Sequence, residues 1–371
     1  MIDWKSEGRI DILKAYVSIG LSVPDIANKM KLTHDQIAHA IRRYSLDKIE
    51  KIVDNESKKI GQRDISALSR MLGERLHQDY QRVGLDEPSY KKNKSKRTEV
   101  SVLDLSDVHI GTRNEVYDGQ AGRKIVTYNE KIFVKELAIL QNSIFEIHNI
   151  LSNSYNLREL VVNVMGDCIT NDRIFQEQVF EIEKTVGLQI WDGVNYFVKF
   201  FNNLLSIYEK ITIVCVVGNH GRTQPDVYDE PVENNFEYHL YRIWQKQFEN
   251  SKRINVIVPD TRRYIHKVLN WKHMIEHGDQ MQGFSEQALI KQIKELHLNV
   301  GGFDLFHMGH LHQIKEIEVS DKVIVKMNGA WVEKDNYAFK KFKTYSVPKQ
   351  WFFGQNETRP ETWSYKLSLR G

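Results

Sequence analysis

Five short polar blocks punctuate this chain, most of them directly behind an apolar run of strand length, and that repeated placement restricts the fold more than any other feature. They are Asp107-Val108-His109, Gly166-Asp167, Gly218-Asn219-His220, His277-Gly278 and Gly309-His310-Leu311-His312. Strand-like runs cover residues 100–105, 160–165, 211–217, 256–258, 273–276 and 305–308, and helical periodicity covers roughly 128–152, 175–207, 234–247 and 286–298. This alternation predicts an α/β sheet covered by helices, with ligand-bearing residues gathered at strand ends. A hairpin over 315–319 and 323–327 around Ser320-Asp321-Lys322 predicts a second sheet and hence a sandwich.

Each block has a chemical reading. Asp107 and His109 leave the first strand two residues apart, so both side chains can face one side of an extended turn. Asp167 follows the buried run 161–165, where a carboxylate is costly without a cation beside it. Asn219 offers a neutral oxygen and His220 an imidazole, and His277, His310 and His312 complete a nitrogen-and-oxygen set suited to manganese, iron or zinc and poorly suited to calcium. With 14 histidines in the chain, any single one reads first as an ordinary hydrogen-bonded residue. The signal is the ordered set. His273 and His307 lie inside strand runs and read as structural.

In this order the blocks resemble the calcineurin-like metallophosphoesterases, over about residues 98–330. The resemblance implies a two-sheet β-sandwich flanked by helices, with two divalent metal ions: Asp107, His109, Asp167 and His312 around one, and Asp167, Asn219, His277 and His310 around the other. It implies hydrolysis of a phosphoester by a hydroxide bridging the two ions, with His220 stabilising the transition state or protonating the leaving oxygen. Two places depart from the family pattern. Thr170 stands where a second aspartate is frequent, and Gly221-Arg222 follow Gly-Asn-His where an acidic residue is usual. Arg222 thereby becomes a candidate phosphate clamp, with an ordinary surface arginine as the plain alternative.

Ahead of this domain, residues 1–46 read as a small all-α domain that resembles a helix-turn-helix. Ser22-Val23-Pro24-Asp25 and Thr33-His34-Asp35-Gln36 are capping boxes, Ala27 sits where two helices approach, and Lys31 replaces the glycine often found at the turn. The resemblance makes His34, Gln36, His39, Arg42 and Arg43 the DNA-contacting residues; the alternative is a helical module that docks on protein. Residues 47–97 read as a helical segment and a basic linker, and 98–371 as the catalytic domain with an aromatic-rich C-terminal extension.

Residues 1–97 carry 20 Lys/Arg against 14 Asp/Glu, a positive balance that suits a polyanion, whereas the rest of the chain is net negative. The resemblance to a helix-turn-helix fused to a phosphodiesterase makes DNA the expected partner, and the arrangement looks like the phage-type or DNA-repair nucleases of the superfamily. Phosphatase or phosphodiesterase action on proteins or small nucleotides, and a DNA-binding regulator with a sensing domain, stay open as alternatives. No apolar run is long enough to cross a bilayer and the N-terminus lacks a signal-peptide core, so a soluble, cytoplasmic protein of a bacterial or phage-infected cell is expected. Cys168 and Cys215 read as reduced thiols. The C-terminal aromatics, among them Trp331, Trp351, Phe352, Phe353, Trp363 and Tyr365, can stack unpaired bases, fill a core or form a subunit interface, and the helix at 60–83 offers a second route to a homo-oligomer.

Overall fold

The computed structural model describes residues 13, 22–43, 87–89, 97–120, 122–172, 174–175, 178–225, 229–334 and 347–370, with the side chains of Arg42 and Arg43 outside it. The chain divides into two units, Met1–Leu72 and Gly73–Gly371.

In the first unit, α1 (Val23–Met30) and α2 (His34–Arg43) are joined by a tight turn. Thr33 and Gln36 exchange hydrogen bonds at 2.9 and 3.3 Å, the reciprocal pair of a capping box, and Ser22 caps α1 by accepting the Asp25 N–H while its hydroxyl meets the Asp25 carboxylate. Lys31 ends α1 in the left-handed region at φ 53°, taking the conformation that glycine usually supplies. Ile26, Ala27, Ile37 and Ala40 close a small core with Leu13. The expected helix at 60–83 lies outside the described residues.

The second unit holds two main sheets. β1 (Thr98–Leu105), β4 (Asn156–Met165), β5 (Lys210–Val216) and β6 (Ile254–Ile257) run parallel, and β12 (Lys349–Gln355) and β13 (Trp363–Ser368) extend the sheet antiparallel beyond β1. In the other sheet β8 (Trp271–Glu276), β9 (Leu305–Met308) and β11 (Val323–Met327) are parallel, edged by β7 (Arg263–Val268) and β10 (Lys315–Ser320). A separate hairpin joins β2 (Asn114–Asp118) to β3 (Arg123–Tyr128).

Side-chain alternation along β1 explains the layering. Leu103 and Leu105 enter the large core shared with α3 (Glu130–Leu151), α4 (Val186–Leu204) and α5 (Phe236–Gln247), while Val100 and Val102 meet Leu305 and Phe353 between the sheets. α6 (Glu286–Asn299) covers the outer face of the second sheet through Leu289 and Ile293. Central strands buried on both faces therefore read as continuous apolar runs, and this made them visible in the sequence.

One expectation needs correction. The helical pattern over 175–207 becomes a 3-10 turn at Gln178–Phe180 followed by α4, because the Glu183 N–H donates to Gly111 and the Glu181 carbonyl accepts from Arg113, each at 2.8 Å, so this backbone is spent on a neighbouring loop. Of the three uses left open for the aromatic tail, Trp331, Trp351, Phe352 and Phe353 fill a core, the last three as part of β12, whereas Tyr365 is exposed. Both cysteines are buried free thiols. No helix among the described residues is long and apolar enough to cross a membrane.

Candidate metal centre

All five blocks lie just past the C-terminal ends of parallel strands: Asp107 and His109 after β1, Asp167 after β4, Asn219 and His220 after β5, His277 after β8, His310 and His312 after β9. Backbone pairing continues past the strands, with the Asp107 and His109 N–H groups donating to Gly166 and Asp167 at 3.1 and 2.9 Å. Two glycines make the approach possible. A side chain at Gly218 would fall on the Asp167 carboxylate, and one at Gly309 on that of Asp107.

Asp107, His109, Asp167, His310 and His312 all hold φ between 53° and 67°, and they are five of the nine non-glycine residues with positive φ among the described residues. Left-handed backbone at such residues costs on the order of 1–3 kcal/mol each, so strain is concentrated where the candidate donors stand. What it achieves is convergence. The Nε2 atoms of His109 and His312 are 3.2 Å apart, and His312 Nε2 is 3.4 Å from Asp107 Oδ1. His277 Nε2 lies 2.9 Å from Asn219 Oδ1 and 3.0 Å from Asp167 Oδ2. Asp107, His109 and His312 form one compact donor group, Asp167, His277 and His310 another, and Asp167 also groups with His109 and His220.

This donor set fits divalent cations. His277 Nδ1 donates to the Met165 carbonyl at 2.8 Å, so the neutral ring points its Nε2 lone pair at two oxygens. Donors at octahedral positions about 2.1 Å from one ion are about 3.0 Å apart, the spacing seen here. The electrostatics agree. Burial opposes ionisation of Asp167, yet His277, His220 and His109 hold its carboxyl well below the usual range. Burial likewise opposes ionisation of Asp107, and its hydrogen bond to His312 with the charges of His312 and His277 keeps it lowered. Burial would depress His277, but the charge and hydrogen bond of Asp167 raise it well above an ordinary imidazole, so a proton occupies the place a cation suits. Burial, then the charge of His220, pushes His109 down to about 3, leaving a neutral imidazole ready to ligate.

His220 stands slightly apart. Its Nε2 is 3.9 Å from Asp167 Oδ2, while its Nδ1 donates to the Thr170 carbonyl at 2.9 Å. Arg222 is only 2% exposed, and its Nε donates to the Asn219 carbonyl at 3.0 Å, so it braces the Asn219–His220 turn from below. In the first unit His34, Gln36 and His39 are exposed on α2, with Gln36 engaged in capping, and Arg42 and Arg43 occupy its last turn.

Several supporting residues carry no motif. The buried Glu237 on α5 accepts the N–H groups of Cys168 and Ile169 on one oxygen and that of Gly218 at 2.6 Å on the other, tying the Asp167 and Asn219 loops together. Burial, then the neighbouring Asp167 charge, pushes Glu237 up to about 8. Asn171 donates to the His220 and Arg222 carbonyls at 2.7 and 2.8 Å, and Gln189 receives the N–H groups of Thr170 and Asn171. Beneath Asp107, Ser106 donates to its carboxylate and is itself held by Asn328 and Gln350. An acidic residue two positions after the N-cap asparagine of α5 was the one available sequence signal for Glu237.

The chain matches no protein-family model, and no curated protein matches it. Among solved structures, it is similar to Vps29 from Entamoeba histolytica complexed with zinc, at TM-score 0.33 and 11% identity over 73% of this chain and 99% of that one. A protein of Streptococcus pneumoniae described as a predicted phosphoesterase gives TM-score 0.29 and 12% identity over 73% of this chain and 98% of that one. A 5'-nucleotidase from Candida albicans gives TM-score 0.35 and 9% identity over 76% of this chain and 54% of that one.

Proposed function

We propose that this chain is a calcineurin-like metallophosphoesterase that hydrolyses phosphodiester bonds of DNA with two divalent metal ions, manganese first among the candidates. One observation carries the reading: nitrogen and oxygen donors from separate strand ends converge at 2.9–3.4 Å, and five of the residues that supply them, Asp107, His109, Asp167, His310 and His312, stand on left-handed backbone. Asp107, His109, Asp167 and His312 would hold one ion, and Asp167, Asn219, His277 and His310 the other. When bound, such ions acidify water and neutralise phosphate oxygens, which is the chemistry of phosphoester hydrolysis.

The chain's own residues supply the rest. With Nδ1 committed to Thr170, His220 can present a proton on Nε2 to the leaving oxygen. Arg222 keeps the Asn219 oxygen and the His220 ring in register through the turn it braces. The basic balance of residues 1–97 and the exposed His34 and His39 support DNA as the polymer that this N-terminal stretch holds, raising substrate concentration by tethering.

Manganese-loaded protein incubated with single-stranded, double-stranded and branched DNA, beside an aryl phosphodiester, tests the reading. DNA cleavage is expected, abolished by Asp107→Asn and slowed about 10²–10⁴-fold by His220→Ala. Cleavage of the aryl compound alone would move the function to small phosphoesters. Variants that cleave like the wild type would remove the site. Deleting residues 1–46 is expected to weaken DNA binding and flatten its salt dependence.

A further inference from the structure

Three large apolar side chains stand in solvent within a few residues of the ligand loop: Phe175 at 46%, Val179 at 56% and Phe180 at 86% exposure. Phe175 is the one placed against the centre. Its ring lies 5.1 Å from that of His220, tilted by 57°, and His220 in turn reaches toward Asp167.

The position of Phe175 is built by the same side chain that fixes His220. Gln178 is buried; its Oε1 accepts the N–H groups of Ile174 and Phe175 at 3.0 and 3.2 Å, and its Nε2 donates to the Thr170 carbonyl. That carbonyl also receives His220 Nδ1 at 2.9 Å. One amide thus sets both the imidazole and the exposed ring, which distinguishes Phe175 from a stray surface aromatic. A flat apolar face held one imidazole away from phosphate-binding donors suits a planar group attached to the phosphate.

We infer that Phe175 is a stacking subsite for the nucleobase adjacent to the scissile phosphate, with Gln178 as its positioning residue. This rests on the phosphodiesterase reading and narrows its substrate to nucleotides with an unpaired base beside the cut, since a base paired in a duplex hides its face. Sequence-tolerant stacking follows, because every base offers a π-face.

The test measures binding as well as turnover. Manganese-loaded wild type, Phe175→Ala and Phe175→Trp are titrated calorimetrically with deoxyadenosine 5'-monophosphate and with inorganic phosphate. They are then assayed on a single-stranded oligonucleotide and on its copy with abasic tetrahydrofuran residues. The nucleotide is expected to bind wild type about ten-fold tighter than phosphate. Phe175→Ala should bring that ratio near one without changing phosphate affinity, and Phe175→Trp should keep it. In turnover, the preference for the base-bearing strand should appear in KM and vanish in Phe175→Ala. A ratio that survives in Phe175→Ala overturns the subsite. So does an equal loss of phosphate affinity, which would make the ring only a prop for His220. If wild type cleaves neither strand yet keeps the nucleotide preference, the nuclease reading fails and the stacking face stands; if it lacks both, both fail.

Discussion

The sandwich holds two groups of histidines, one in the loops beyond its strands and one between its sheets, and their protons balance in opposite ways. Between the sheets, Gln355 Nε2 donates to the Val268 carbonyl at 3.1 Å, so its Oε1 must accept from His273 Nε2 at 3.0 Å. His273 Nδ1 is then an acceptor for His307 Nε2 at 2.9 Å, and His307 Nδ1 meets Asp104 Oδ2 at 2.8 Å. The other oxygen of Asp104 takes an N–H of Asn163, whose carbonyl takes His266 Nε2, both at 2.9 Å. Each ring nitrogen of His273 and His307 has a partner within the sandwich, and both oxygens of Asp104 are engaged at the end of the chain. At the loops the reverse holds: His277 Nε2 faces two oxygens, and His109 Nε2 faces His312 Nε2. The same residue types form a self-contained brace in one place and the proposed receptor for cations in the other. Which lone pairs are left facing each other tells them apart.

Breaking the receptor should be the more drastic act. Asp167 belongs to both proposed ligand sets, so Asp167→Ala is expected to empty the centre and reduce cleavage to background, read by metal analysis of the purified protein and by turnover. Retention of two ions per chain would mean that the groups around Asp167 do not share it. The brace responds differently. Asp104→Asn leaves a buried proton chain without its charge partner and is expected to destabilise the fold by about 3–5 kcal/mol in denaturant titration. Metal content at low denaturant should stay at the wild-type value; a parallel loss of ions would show that the two groups are one.

The two groups also differ in how far the sequence announced them. The proposed ligands were legible because each brings its own motif and follows an apolar strand, so Asp107, Asp167, His277 and their partners could be named in order. His273 and His307 were read as structural from their place inside strands, and the brace bears out that placement. Its partners were not foreseen, although Asp104 shares the face of Val100 and Val102 and so had to enter the space between the sheets. Glu237, Asn171, Gln189, Asn328 and Gln350 were missed for a different reason. Each acts on backbone brought near by tertiary folding, and such contacts leave no spacing to read. The aromatic tail was legible as apolar but not as strands, because its edge pairing with β1 joins residues about 250 apart.

Glu237 sharpens the contrast from outside the ligand set. It binds no ion in the proposed arrangement but ties the loops that carry Asp167 and Asn219. Glu237→Gln keeps the shape and exchanges one acceptor for a donor facing an N–H. Metal affinity is expected to fall about 10–100-fold, as for other residues that orient ligands, with the brace and the thermal unfolding of the metal-free protein little changed. An unchanged affinity would reduce Glu237 to a loop tie without bearing on the centre.

Acid should separate the groups most finely, because the sign is the same while the quantity lost is not. His277 is raised above its unfolded value by Asp167, and the proton it holds competes with a cation. Metal affinity is therefore full above that raised value and declines as pH falls through it, with protons released on binding. His266 moves the other way: burial, then the charge of His307, pushes it down to about 3 from 6.5. Unfolded, it protonates near 6.5; folded, it resists until about 3. The stability this contributes is complete above the upper value and drains as pH drops toward the lower, by at most about 1.4 kcal/mol per pH unit. Calorimetric manganese titrations and denaturant melts of metal-free protein across this range measure the two losses separately. His266→Asn should flatten only the stability curve. If it instead shifts the pH at which manganese is lost, protons in the brace are coupled to the centre, and the division between a closed group and an open one fails at His266.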